Sequence, residues 1–294
     1  MPESHFVSPY DAIAALYHRA WDDWYLPAAL PALERLFFSE LAPGARVLDA
    51  CCGSGHVTRE LVIRGYDVTG LDSSASLIAH ARQELPEAKF IIADVRDFSF
   101  SEPFNGALST FDSLNHLLTY TDLCAAFRCV RRTLCTGAPF FFDMNLEEAY
   151  EMDLGEWMRC EREGYLGFTR GIYSRATHRA RTEIVWFERQ QAPTSARNRD
   201  RAPAAPMAVR AAEVSEDARL SALNRDRQGA DPFDETSGLW RRRDAVVEEQ
   251  CYTVDEIDEA LRRAGFGRIE RFSALQAGVT HSIGYGRVFI RAFA

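Results

Sequence analysis

The sequence is short of what a membrane-spanning helical protein needs. No apolar run approaches the roughly 20 residues that cross a bilayer, and no basic-then-apolar segment opens the chain. Neither membrane insertion nor export is expected, and the expected compartment is the cytoplasm. Positive charge is also in deficit: 34 Lys and Arg stand against 43 Asp and Glu, a net charge of −9. A nucleic-acid backbone usually demands a basic surface, so that class of partner is not expected. Cysteine is present without pattern. The seven, Cys51, Cys52, Cys124, Cys129, Cys135, Cys160 and Cys251, are odd in number and show no zinc-site spacing. They read as reduced thiols, and no metal is expected. Residues 190–231 contain no aromatic side chain. Such a segment buries too little apolar surface to offset its ordering entropy, so a flexible loop is expected there, with a short helix over Ala208–Leu223 at most. Arg197, Arg199 and Arg201 are interleaved with Asp200 and lack aromatic neighbours, which favours a solvated loop over a nucleic-acid contact.

What is present is a series of short apolar runs, each ending in a polar residue. Val47-Leu48-Asp49-Ala50 reads as a buried strand, and Cys51-Cys52-Gly53-Ser54-Gly55 as the turn into a helix. Gly53 and Gly55 have no Cβ and let the backbone approach a ligand, while the helix start offers unpaired N–H groups. The next run ends at Asp72, 19 positions after Gly53. A carboxylate at the tip of a second strand can accept both hydroxyls of a ribose. Asp72 also suits the approach to a helix over Ser74–Glu84, for which Ser73 or Ser74 can serve as cap. A third run ends at Asp94-Val95, and a fourth, Gly106–Ser109, leads into Thr110-Phe111-Asp112. A nicotinamide-binding G-x-G-x-x-G fingerprint fails, because the third glycine would fall at Thr58. Strand tips in this order predict a doubly wound α/β sheet that binds its ligand at the carboxyl ends of the strands.

The spacing Asp49-x-x-x-Gly53-x-Gly55 resembles motif I of the class I S-adenosylmethionine (SAM)-dependent methyltransferases. Cys51 stands where that motif usually has a glycine. The resemblance implies a Rossmann-like seven-stranded sheet in the methyltransferase order, with SAM as cofactor. It implies that Asp49, Cys51, Gly53 and Gly55 form the cofactor turn, that Asp72 with Ser73 holds the ribose, and that Asp94 with the Val95 backbone holds the adenine. Phe111 and the loop after strand four would lie at the reacting centre. Enzymes of this kind that act on base amino groups typically carry an Asn/Asp-Pro-Pro-aromatic run in that loop; this chain has Phe111-Asp112-Ser113-Leu114.

Ahead of the sheet, Ser8–Trp24 is expected to be helical, with Tyr10, Ile13, Ala14, Tyr17, Trp21 and Trp24 on one stripe. A second helix over about Pro27–Leu41 would take Pro27 in its first turn. In related small-molecule methyltransferases such a tyrosine-rich helix closes over the cofactor, so Tyr17 and Tyr25 join the candidate cofactor residues, with Tyr10 beside them. After the strand Pro139–Asn145, about a hundred residues intervene before a helix at Thr253–Ala264, whose Thr253 and Glu256 form a capping box and which Gly265 ends. Alternating segments near Glu156–Tyr165, Thr169–Ala176, Thr182–Glu188 and Leu239–Tyr252 predict a small antiparallel lid sheet. The division expected is 1–145 for arm and SAM-binding core, 146–251 for the lid, and 252–294 for completion of the core by two last strands.

Methyl transfer is an in-line displacement in which the protein mainly positions and desolvates. An amine acceptor needs only to be neutral and aligned; a hydroxyl or carbon acid usually needs a base. His116, just after strand four, and Asp112 are the candidate catalytic residues; Asp143, His18, His178 and His281 are weaker ones. The expected function is methyl transfer to a small-molecule acceptor, an amine by likeness to enzymes of small metabolites and amino sugars. A small-molecule O-methyltransferase and a non-catalytic SAM-binding protein are the alternatives, and a homodimer is left open.

Overall fold

The two-residue alternation of the central strands decides which helices cover which face. The computed structural model describes residues 8–20, 22–152, 155–162, 164–189 and 240–294. Seven strands form one sheet: β1 (Arg46–Ala50), β2 (Asp67–Asp72), β3 (Lys89–Ile92), β4 (Gly106–Ser109), β5 (Pro139–Asn145), β10 (Ile269–Ser273) and β11 (Arg287–Phe293). Their order is β10-β11-β5-β4-β1-β2-β3, the methyltransferase order expected, with β11 antiparallel to both neighbours and β1–β5 mutually parallel. In β5, Phe140 and Phe142 point into one core layer with Phe127, Val130, Ile257 and Leu261. Phe141 points into the other, with Leu33, Phe37, Val57 and Leu61. Each fully buried aromatic of this kind contributes about 1.5–3 kcal/mol. The helices of the first layer are α5 (Tyr120–Thr133) and α7 (Val254–Ala264); those of the second are α2 (Asp22–Leu36) and α3 (His56–Ile63). The expected capping box of α7 is present, and Gly265 closes the helix at φ 94°.

Between β5 and α7 come a short helix α6 (Glu147–Glu151) and a four-stranded antiparallel sheet, β6 (Trp157–Arg162), β7 (Tyr165–Ser174), β8 (Arg179–Arg189) and β9 (Trp240–Gln250). One face of it packs Ile184, Trp186 and Val247 on Ile13 and Leu16 of the N-terminal helix α1 (Pro9–Ala20). The loop and short helix expected within 190–231 lie outside the described residues, as do the side chains of His18, Trp21 and Trp24.

Two expectations need correction. The first helix ends at Ala20, and the second begins at Asp22, so that Pro27 and Pro31 both lie inside α2. Each proline removes one backbone hydrogen bond. The helix continues through them because Ala29, Ala32, Leu33 and Leu36 are buried on its inner face. Among the described residues no helix is long and apolar enough to cross a membrane.

Candidate functional site

The turn after β1 is built from unusual backbone. Gly53 and Gly55 have φ of 55° and 86°, and Cys51 has φ 63°, a conformation that costs a non-glycine residue about 1–2 kcal/mol. Cys51 thus takes the shape of the glycine that the motif usually has. A Cβ at Gly53 would stand 3.6 Å from the Tyr17 ring. Asp72, at the end of β2, braces the turn: its Oδ2 accepts from the Gly53 N–H at 2.9 Å and its Oδ1 from the Ser74 N–H at 2.8 Å. Burial raises its carboxyl above the ordinary carboxylate range, against those two hydrogen bonds. Ser74, not Ser73, caps the helix α4 (Ala75–Glu84), accepting from the Leu77 N–H at 3.1 Å; Ser73 lies in the connection between Asp72 and that cap. The Ser74 hydroxyl also donates to Asp11 of α1 at 2.6 Å, and Asp11 accepts from the Ser76 N–H at 3.0 Å. The arm is therefore latched to the strand tip that carries Asp72.

Asp49 is buried in β1 and accepts from the Thr58 hydroxyl at 2.6 Å; burial pushes its carboxyl up to about 7. It faces α3 and braces the turn from below. Asp94 is not offered outward: Arg96 donates to it from its backbone N–H, at 2.8 Å, and from two guanidinium nitrogens. Burial raises this carboxyl, but the Arg96 hydrogen bonds more than offset that and hold it below the usual range. Val95 is buried beside it.

The loop after β4 carries two successive left-handed residues, Phe111 at φ 61° and Asp112 at φ 48°. A buried ion-pair network holds them. Asp143, fully buried in β5, accepts from the Phe111 N–H at 2.8 Å, from the Asp112 N–H at 3.2 Å and from the Tyr25 hydroxyl at 2.9 Å. Arg287 of β11 pairs with Asp143 and, at 3.1 Å, with Asp112. Burial alone would lower the Arg287 pKa, but the two carboxylates raise it above its ordinary value and keep the guanidinium charged. Sequence reading named Asp112 and Asp143 but not Arg287, because Asp143 and Arg287 meet only when β5 pairs with β11.

This network corrects two expectations. Asp112 is not a free base: its other oxygen accepts from the Asn145 amide at 2.8 Å. The Tyr25 hydroxyl is spent on Asp143, and its ring stacks on Phe111 at 4.3 Å, so only the ring faces the cleft. His116 is held at both nitrogens, by the Glu248 carbonyl at 3.0 Å on Nδ1 and by the Tyr10 hydroxyl at 2.7 Å on Nε2. A carbonyl only accepts, so Nδ1 carries the proton, and in the neutral ring Nε2 accepts from Tyr10. His281 is an exposed cap accepting from the Ile283 N–H at 3.3 Å, and His178 sits in the exposed β7–β8 turn; neither joins the site. Between the glycine turn and Phe111 lies a small open cleft whose lining includes Tyr17, Tyr25, Cys51, Gly53, His56 and Phe111.

A family model described as a methyltransferase domain matches residues 47–137, the stretch that holds the glycine turn, Asp72, Asp94 and the loop of Phe111. That stretch is similar to the class I SAM-dependent methyltransferases. Among curated proteins, the chain is 35% identical over 92 residues to dTDP-3-amino-3,4,6-trideoxy-alpha-D-glucopyranose N,N-dimethyltransferase of Streptomyces venezuelae, covering 30% of this chain and 37% of the relative. It is 42% identical over 71 residues to trans-aconitate 2-methyltransferase of Delftia acidovorans, 24% and 26% of the two chains. The matched stretches span at most about half of the curated relatives' own length. Of solved structures, Streptomyces venezuelae DesVI superposes with a TM-score of 0.66 at 19% identity over 98% of both chains. The SAM-bound amino pentose methyltransferase of Micromonospora echinaspora does so at 0.63 and 17%, again over 98% of both. At that identity the likeness establishes the fold, lid sheet included.

The residues present fit SAM. An ionised carboxylate has about four lone-pair sites, and the turn uses two of those on Asp72. The remainder suit a pair of ribose hydroxyls. The Gly53 backbone is open to a ligand, and the faces of Tyr17 and Phe111 suit a sulfonium cation.

Proposed function

We propose that the protein transfers a methyl group from SAM to the amino group of a small molecule. The observation that carries this reading is the state of the two candidate bases. Asp112 is ion-paired, and His116 is bonded at both nitrogens, so neither stands ready to deprotonate a hydroxyl or carbon acid. An amine requires only alignment and loss of its proton. The sugar N-methyltransferases among the relatives support the same acceptor class.

SAM, when bound, supplies a methyl group on a positively charged sulfur. The chain's own part is positional. Asp72 would hold the ribose, Asp94 and Val95 the adenine edge with Arg96 displaced or shared, and Gly53 the close backbone contact. Tyr17 and Phe111 would face the sulfonium, while Tyr25, Asp143 and Arg287 fix the Phe111-Asp112 turn that faces the acceptor. His116 and Tyr10 would tie the arm to the lid sheet, closing the site against water. In this reading 1–145 and 252–294 form the cofactor core and 146–251 the acceptor lid. The acidic net charge supports a small molecule over nucleic acid, and the free thiols support a cytoplasmic location.

The trans-aconitate methyltransferases among the relatives support a second reading, a carboxylate acceptor, since a carboxylate also needs no base. Transfer of labelled methyl from SAM to a panel of amino sugars and carboxylic acids distinguishes the two. The expected product keeps its label through mild alkaline treatment, as an N-methyl group does. Label released as methanol identifies a methyl ester and the carboxylate reading. Absence of transfer to every member, with SAM bound, favours a non-catalytic protein.

A further inference from the structure

Glu249 lies in β9 of the lid sheet, on the same face as Val247, two residues away, which packs on the arm. It is only 9% exposed. Its neighbours in sequence are latched to the loop after β4. The Glu248 carbonyl accepts from His116 at 3.0 Å, and the Gln250 carbonyl accepts from the Asn115 amide at 2.9 Å. The strand therefore delivers Glu249 to the loop after β4, near Asp112, His116 and Arg287. Its Oε2 accepts from the Tyr150 hydroxyl at 2.7 Å, and Tyr150 is fixed by stacking on Tyr173 at 5.4 Å.

Among the described residues the other buried carboxylates have more compensation. Asp143 and Asp112 share Arg287, Asp258 has Arg262 and Arg271, Asp72 has two backbone N–H groups, and Asp49 accepts from both the hydroxyl and the backbone of Thr58. Among the described residues Glu249 has no cation within ion-pair distance. A buried carboxylate without a countercharge is costly, and a cation that enters the site relieves that cost. Burial, and then the like charge of Asp112, raise its carboxyl, which favours taking up a proton.

We infer that Glu249 is the acceptor-binding residue of the site: its carboxylate receives the acceptor as an ammonium ion and takes one proton from it at Oε1. The proton moves from nitrogen to oxygen, the nitrogen keeps its electron pair, and the acceptor becomes the neutral amine that methyl transfer requires. A carboxylate is too weak a base to do this for an alcohol, so the same residue selects amines. The inference rests on the methyltransferase reading above, and it names the acceptor contact that reading leaves open.

The test is ligand-observed NMR titration of the protein loaded with adenosylhomocysteine, using cyclohexylammonium and its neutral isostere cyclohexanol. The variants are Glu249→Gln, which keeps the shape and the bond from Tyr150, and Tyr150→Phe. The wild type is expected to prefer the ammonium at least tenfold, and Glu249→Gln to lose that preference while binding adenosylhomocysteine as before. Tyr150→Phe, which frees the carboxylate, should retain the preference. Equal binding of the two probes by the wild type, or an unchanged preference in Glu249→Gln, overturns the assignment of Glu249 and leaves the methyltransferase reading standing. Failure of the wild type to bind adenosylhomocysteine overturns that reading instead.

Discussion

At the scale of single residues, the site is a set of buried carboxylates kept in different states by their surroundings. Asp49 has only Thr58 for a hydrogen-bond partner and no cation, and burial lifts it to about 7, whereas in an unfolded chain it titrates near 4. The folded protein therefore holds a proton there that the unfolded chain releases. Folding is favoured in full below about pH 4, and this contribution is lost as the pH rises through 7. Asp49→Asn keeps an oxygen for Thr58 and removes the buried charge. Its melting temperature is expected to exceed that of the wild type by more at pH 8 than at pH 5, by an amount corresponding to a few kcal/mol. A gain that is the same at both pH values contradicts the assignment. Legibility in the sequence divides sharply at this scale. Asp72, Gly53 and Gly55 were readable because a strand tip and its turn are local patterns. The pairing of Asp143, read only as a weaker candidate base, with Arg287 was not, the two being 144 positions apart and joined only by the β5–β11 pairing. Glu249 stands in Val-Val-Glu-Glu-Gln, where nothing tells a buried acid from an exposed one. Asp94 was given the adenine contact by the resemblance alone, and nothing in the sequence showed that Arg96 would engage it.

At the scale of elements, the arm and the lid matter more than their length suggests. Helix α1 is held at one end by Asp11 on the Ser74–Ser76 helix start and along its length by the lid sheet. The alternation of apolar residues made both elements foreseeable, and the stripe Tyr10-Ile13-Ala14-Tyr17 does face inward. Its contacts were not foreseeable, since they join residues 8–20 to strands after position 180. The prolines of α2 misled for a different reason: capping rules describe what a helix prefers, and burial of its inner face overrode them. Asp11→Ala removes two hydrogen bonds to a half-buried carboxylate and should cost about 1–3 kcal/mol locally. Hydrogen exchange is the measurement: amides of residues 9–20 are expected to exchange faster, while those of β1, β4 and β5 keep their protection. Uniform loss of protection throughout the sheet would mean that the latch supports the whole fold and not the arm alone.

At the scale of the whole molecule, a parallel sheet supplies a rigid edge of strand tips, and everything variable is hung around it. The core layers are filled by residues whose order in the chain already implies the topology, so fold and cofactor end were legible from sequence. The proposed acceptor end is assembled from α1, the loop after β4, α6 and β9, four separated stretches that only the fold brings together. The measurement that bears most directly on the central claim is calorimetric titration of the wild type and of Asp72→Ala with SAM and adenosylhomocysteine. The wild type is expected to bind both. Asp72→Ala should lose at least tenfold in affinity, corresponding to about 1.5–3 kcal/mol for hydrogen bonds to a charged group. No binding of either ligand by the wild type, or undiminished binding by Asp72→Ala, would contradict the cofactor site described.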